Sequence, residues 1–360
     1  MNMNLEFVKV LEKFWPKNKA KGILAQTIFK EEMARGVFGA DAKEKMMSGC
    51  WLFAPKSSDF FKFRFSFFIH PEIVKADAKE ADLKAVLGDK YRPLYAIAEF
   101  MNNAGIGIIY AVPHTKNGKL EPRELKKLEF GNIEWQFLSF EEGKFISRDS
   151  TEFFNKWPGS RGRASRGGGW EPHIKAKIRM LKKEILLELL MNELFYAGFL
   201  KGILRKPVND PYDVDSFLMS LSQKHIFPME IKEKFPGQNR EDKFFGIDAG
   251  RVMMLLRICL PNDANAIYLI REVDKRAGFV GWKYITLSDI IMTSSWNLQA
   301  GGRGMGGQDT QTIRLPYDYF KEFDSDQISE DALQRIGSLP KEVKTAARQF
   351  CDAIHPKFYS

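Results

Sequence analysis

A chain of 360 residues with 44% hydrophobic and 13% aromatic content can bury a sizeable core, which excludes a disordered tail and a miniprotein that depends on staples. No stretch approaches the roughly 18 uninterrupted apolar residues of a membrane span, residues 1–17 mix Glu6, Glu12 and lysines among the apolar ones unlike an export signal, and the three cysteines (50, 259 and 351) are too scattered for a disulfide framework or a zinc knuckle. A protein without a membrane span, in a reducing cytoplasm, is the expectation. The net charge of +9 is unevenly spread: residues 156–183 hold nine Lys and Arg against the single acid Glu171, a patch suited to a polyanion through counterion release.

In chain order, helices are predicted over 5–14 and 25–35. Residues 61–67 alternate phenylalanine with polar residues, which predicts a strand with one buried and one wetter face. A helix over 94–102, a strand over 105–112 and a strand or hairpin within 133–145 complete an N-terminal α+β region, 1–156, expected to supply recognition surface or a dimer contact. The Gly- and Ser-rich segment 157–170 reads as a basic linker. Its Arg161, Arg163 and Arg166, with Lys175 just beyond it and Lys234 further along the chain, are candidate DNA contacts.

The expected second region, 171–360, opens with Pro172 and a helix to about 204, on which Ile174, Ile178, Leu181, Ile185 and Leu189 recur at helical spacing. Strands over 213–220 and 226–234, joined by a polar turn at 222–224, form an antiparallel hairpin. A helix over 247–259 follows, carrying Arg251 and Arg257 as candidate phosphate contacts, then strands over 266–273 and 284–287. Residues 301–307 match the dinucleotide-binding glycine fingerprint literally at Gly302, Gly304 and Gly307. A strand-like 310–315 follows where that fold needs a helix, so a flexible connector is expected, with Arg303 a candidate DNA contact. The five histidines show no metal-ligand spacing.

The chemistry concentrates in the hairpin. Alternation along 226–234 places Pro228, Glu230, Lys232 and Lys234 on one face and Phe227, Met229 and Ile231 on the other. Across the hairpin, Asp215 and Glu230 approach closely enough to share one divalent cation through hard oxygen ligands. Such a Mg²⁺ polarises a phosphate and acidifies a bound water, while Lys232 orients that water or steadies the charge of the transition state. A carboxylate two residues before a lysine recurs at Asp41/Lys43, Glu241/Lys243 and elsewhere, so the triplet alone proves nothing. Glu230/Lys232 differs in its context: an acid-bearing strand and a long helix before it, a helix and a strand after it.

That order, over about 171–290, resembles the PD-(D/E)xK nuclease superfamily. The resemblance implies an α/β (α+β overall) protein with a restriction-endonuclease-like core, a mixed β-sheet flanked by helices. It also implies that Asp215 and Glu230 ligate metal and that Lys232 serves the nucleophilic water. Proline does not precede the aspartate directly, since Val214 precedes Asp215 and Tyr212 precedes Asp213, so Asp213 stays a candidate ligand beside Asp215. A further acid on the preceding helix would be Glu188 or Glu184. The implied activity is a Mg²⁺-dependent endonuclease acting on double-stranded DNA, a type II restriction enzyme with a homodimer for symmetric cutting and a cognate methyltransferase as system partner. A structure-selective repair or recombination nuclease of the same fold is the nearest rival. A nucleic-acid-binding protein without chemistry is the rival from another class.

Overall fold

The computed structural model describes residues 3–53, 64–75, 92–119, 133–149, 169–196, 199, 212–240, 242–293, 296, 298–303 and 309–359. They form two compact units of mixed α and β structure, one comprising Met1–Thr27 and Cys50–Asp213, the other Ile28–Gly49 and Val214–Ser360. This division differs from a junction within 157–170, most of which lies outside the described residues.

In the first unit, helix α1 (Met3–Phe14) buries Phe7, Val8, Val10 and Leu11. Helix α2 (Lys17–Ala34) begins here and runs on into the second unit. The sheet takes in the end of β1 (Met46–Phe53), then β2 (Phe65–Ile69), β4 (Gly107–Thr115), β5 (Glu134–Glu141) and β6 (Lys144–Arg148), with the short β3 (Val74–Lys75) beside β4. Strands β2 and β4 are parallel, and helix α3 (Arg92–Asn103) lies between them in the chain. Glu142 and Gly143, at φ 48° and 74°, make the β5–β6 turn, both in the left-handed region that a two-residue I′ hairpin demands.

Two expectations change in this unit. Of the wetter face expected on the alternating strand, Arg64 is exposed but Ser66 is not: it is buried with Phe67 and Phe68 between β1 and β4, its hydroxyl donating to Gly107 O at 3.2 Å. The long helix from Pro172 is two helices, α4 (Pro172–Arg179) and α5 (Lys183–Glu193). The break at 180–182 moves the buried face from the predicted Ile185 and Leu189 to Leu186 and Leu190, a displacement of one residue, or about 100° around the axis.

The second unit is built on a sheet ordered β15–β12–β11–β8–β7, continued by the start of β1. Strands β7 (Tyr212–Met219) and β8 (Ile226–Lys234) are the predicted hairpin, with Gln223 at φ 59° in its turn. Strand β11 (Ile267–Val273) is parallel to β8, reached through helix α6 (Ala249–Cys259). Antiparallel β12 (Phe279–Thr286) and β15 (Lys321–Glu322) complete that side. Against β7, β1 comes so close that a Cβ on Gly49 would lie 1.7 Å from Val214 O and 2.7 Å from Asp215 O, so glycine is required where β1 passes the aspartate.

A second, antiparallel sheet is ordered β13 (Leu298–Arg303), β14 (Asp309–Pro316), β10 (Asp242–Asp248), β9 (Gly237–Asn239). The expected connector at 301–307 is therefore extended and paired through residue 303, and 304–308 lie outside the described residues. The helix expected from 247 starts at Ala249, because Ile247 and Asp248 still belong to β10. The Asp248 carboxylate accepts Gly250 N–H at 2.8 Å as the N-cap. Helices α7 (Leu287–Thr293), α8 (Glu330–Ile336) and α9 (Lys341–Tyr359) complete the unit.

Candidate active site

The ladder between β7 and β8 stops at Ser216↔Met229, one pair short of Asp215 and Glu230. There Asp215 Oδ2 accepts Ile231 N–H at 2.6 Å, so a carboxylate takes the place of a strand carbonyl where the two strands part. Alternation carries Lys232 to the same face as Glu230, and its ammonium stands 2.7 Å from Glu230 Oε1 and 3.5 Å from Asp215 Oδ2. Asp215, Glu230 and Lys232 are thus brought together within the second unit. Asp213, half-buried and two residues back on the same strand face, lies nearer the strand's start.

Burial makes this cluster energetically exacting. Glu230 is 1% exposed and Asp215 5%, whereas the Lys232 side chain keeps 32% of its surface in solvent. Both Glu230 oxygens are buried without accepting a hydrogen bond; the Lys232 ammonium comes near Oε1 but is not aligned on it. Arg251 Nε, from the first turn of α6, adds a second cation 3.5 Å from Oε1. A carboxylate this deep without hydrogen bonds lacks ligands for its lone pairs, which is the situation a hard cation relieves.

Two residues absent from the predicted set shape the site. Tyr268 is the β11 neighbour of Glu230 in the parallel register, 1% exposed, and its hydroxyl donates to Gly246 O of β10 at 2.9 Å. Burial, then the charges of Glu230 and Asp215, push its phenol well above the ordinary value, so it stays a neutral, dry wall. Two residues beyond Gly246, burial and then the Glu230 charge raise the Asp248 carboxyl, with Arg251 and the backbone N–H groups of residues 250 and 251 opposing. Lys234 is pushed down first by burial and then by Lys232, with Glu230 and Asp248 opposing. An Asp directly before Ala249-Gly250 is an N-cap signature visible in the sequence. Tyr268 has no such signal, because only the β8–β11 register selects it.

Glu188, half-buried, and Glu184, exposed, lie on α5 of the first unit. Lys175 is paired there with Glu12 at 2.5 Å, which engages the charge expected for DNA. Arg161, Arg163 and Arg166 lie outside the described residues, as does the side chain of Arg303. Among the described residues no group of three or more His, Cys, Asp and Glu could hold a metal ion. The two carboxylates Asp215 and Glu230 nonetheless match magnesium's habit of using one or two carboxylates with waters and substrate oxygens. Among the described residues no helix is long and apolar enough to cross a membrane.

No protein-family model, no curated protein and no solved structure matches this chain. The functional reading therefore rests on the residues themselves.

Proposed function

We propose that the second unit is a Mg²⁺-dependent endodeoxyribonuclease with a restriction-endonuclease-like core formed by β7, β8, α6 and β11, and that it acts as a type II restriction endonuclease on double-stranded DNA. The observation that carries the reading is the Glu230 carboxylate, buried without hydrogen bonds beside Asp215, Lys232 and Arg251. Asp215 and Glu230 would hold the cation, which when bound supplies an acidified water and a polarised phosphate. Lys232, with a third of its side chain in solvent, would donate a hydrogen bond from its ammonium to orient the attacking water, whose proton leaves to bulk solvent. Arg251, which stands beside Glu230, would pair with a non-bridging phosphate oxygen, for which its planar fork suits it. Tyr268 excludes water behind the acids.

The test is incubation of long duplex DNA with the wild type and with Asp215→Ala, Glu230→Ala and Lys232→Ala. The wild type should yield discrete fragments with Mg²⁺ and none with EDTA. Each substitution should lower cleavage by at least about 10²-fold while metal-free DNA binding persists. Cutting confined to junctions or flaps would make the protein a structure-selective nuclease. Binding without cutting under any divalent metal would leave a nucleic-acid-binding protein with no chemistry.

A further inference from the structure

The second sheet of the second unit borders a cleft of about 510 Å³ whose walls are cations held on aromatic rings. The Arg314 guanidinium lies 4.6 Å from the ring centre of Phe244, and the Lys243 ammonium lies 5.6 Å from that of Tyr317. The rings are themselves fixed. Tyr317 donates its hydroxyl to the buried Glu272 at 2.9 and 3.0 Å to the two oxygens, and Phe244 lies across Gly237, where a Cβ would come within 2.6 Å of the ring. Arg314 and Lys243 are exposed yet oriented, as a recognition surface requires.

Their company decides the ligand. Asp242 and Asp318 line the same cleft with Asn239, so two carboxylates balance the two cations. A phosphate cradle would be repelled by those acids. A base edge, in contrast, presents both donors and acceptors: the planar fork of Arg grips guanine with two bonds where Lys offers only a point charge, Asn suits adenine and Asp suits the cytosine amino group. The β9–β10 hairpin forms one edge of the four-stranded sheet and turns at Arg240, φ 55°, and strands of a sheet can read a groove of B-DNA. From Lys243, β10 runs on to Asp248 beside Arg251, about 17 Å along an extended strand.

We propose that this cleft reads base edges in the major groove of duplex DNA, with Arg314 and Lys243 as specificity-determining residues. The link to a cut rests on the nuclease reading; the base reading does not need cleavage. The experiment is selection of bound duplexes from a randomised library in EDTA, with wild type, Arg314→Ala and Arg314→Lys. Wild type should enrich a defined sequence, and both variants should lose discrimination at one position by roughly tenfold. The lysine variant keeps the charge and most of the non-specific affinity, so its relaxed preference is not explained by misfolding. No enrichment by wild type, or the same preference in Arg314→Lys, overturns the proposal. Cleavage in Mg²⁺ is scored separately. Cutting without sequence enrichment sinks the base-reading cleft and leaves the nuclease; enrichment relaxed by Arg314→Lys without cutting upholds the cleft and sinks the nuclease.

Discussion

Glu193 in the first unit and Glu230 in the second are buried to the same degree, 2% and 1% exposed, and each meets a lysine. Glu193 is hydrogen-bonded by Lys19, whose ammonium also faces the rings of Trp15 at 5.8 Å and Trp51 at 5.2 Å. Glu230 has two cations nearby and no hydrogen bond on either oxygen. The same residue pair thus serves as a closed structural contact in one place and an incompletely satisfied cluster in the other. Burial of an acid against a lysine does not separate the two places; the unmet lone pairs of Glu230 do.

The contrast is sharpest in stability. Glu193→Gln removes the charge of a buried acid that is hydrogen-bonded to the half-buried Lys19, so it should destabilise by about 2 kcal/mol in a urea titration. Glu230→Gln in EDTA should stay within about 1 kcal/mol of wild type, because it removes a charge that was poorly solvated while Lys232 keeps Asp215 as partner. Equal losses in the two variants would erase the distinction between the sites.

A smaller effect tests the electrostatics around Glu230. Burial raises the folded Asp248 carboxyl above its ordinary 3.8, so the unfolded chain releases that proton first. Its contribution to stability is present below 3.8 and is lost as pH rises through the folded value. Asp248→Asn keeps the cap acceptor and carries no charge. Relative to wild type, its melting temperature in EDTA should rise across that window and converge with it in acid. A gap that is independent of pH would mean Asp248 is not under this strain.

Local pattern made much of the second unit legible. The β7–β8 hairpin emerged from alternation plus a polar turn, and α6 from its apolar run, because both depend on contacts close in sequence. Strand β1 did not, since Met46-Met47-Ser48-Gly49-Cys50 lacks alternation and owes its place to Gly49 passing Val214. Residues 28–49 join a unit whose remainder begins at 214, and composition along the chain cannot reveal such a long-range pairing. Ser329 before Glu330 and Asp331 is a helix-start signature in the sequence, and its hydroxyl accepts Ala332 N–H. Of the site, Asp215, Glu230 and Lys232 were placed by strand parity. Tyr268 waited on the register of a distant parallel strand.

The most direct measurement is calorimetric titration of Mn²⁺ or Mg²⁺ into the wild type, Asp215→Asn and Glu230→Gln. One divalent cation per chain binding the wild type, with the heat lost in both variants, is the predicted result. Identical isotherms for all three proteins would contradict a cation shared between these two carboxylates.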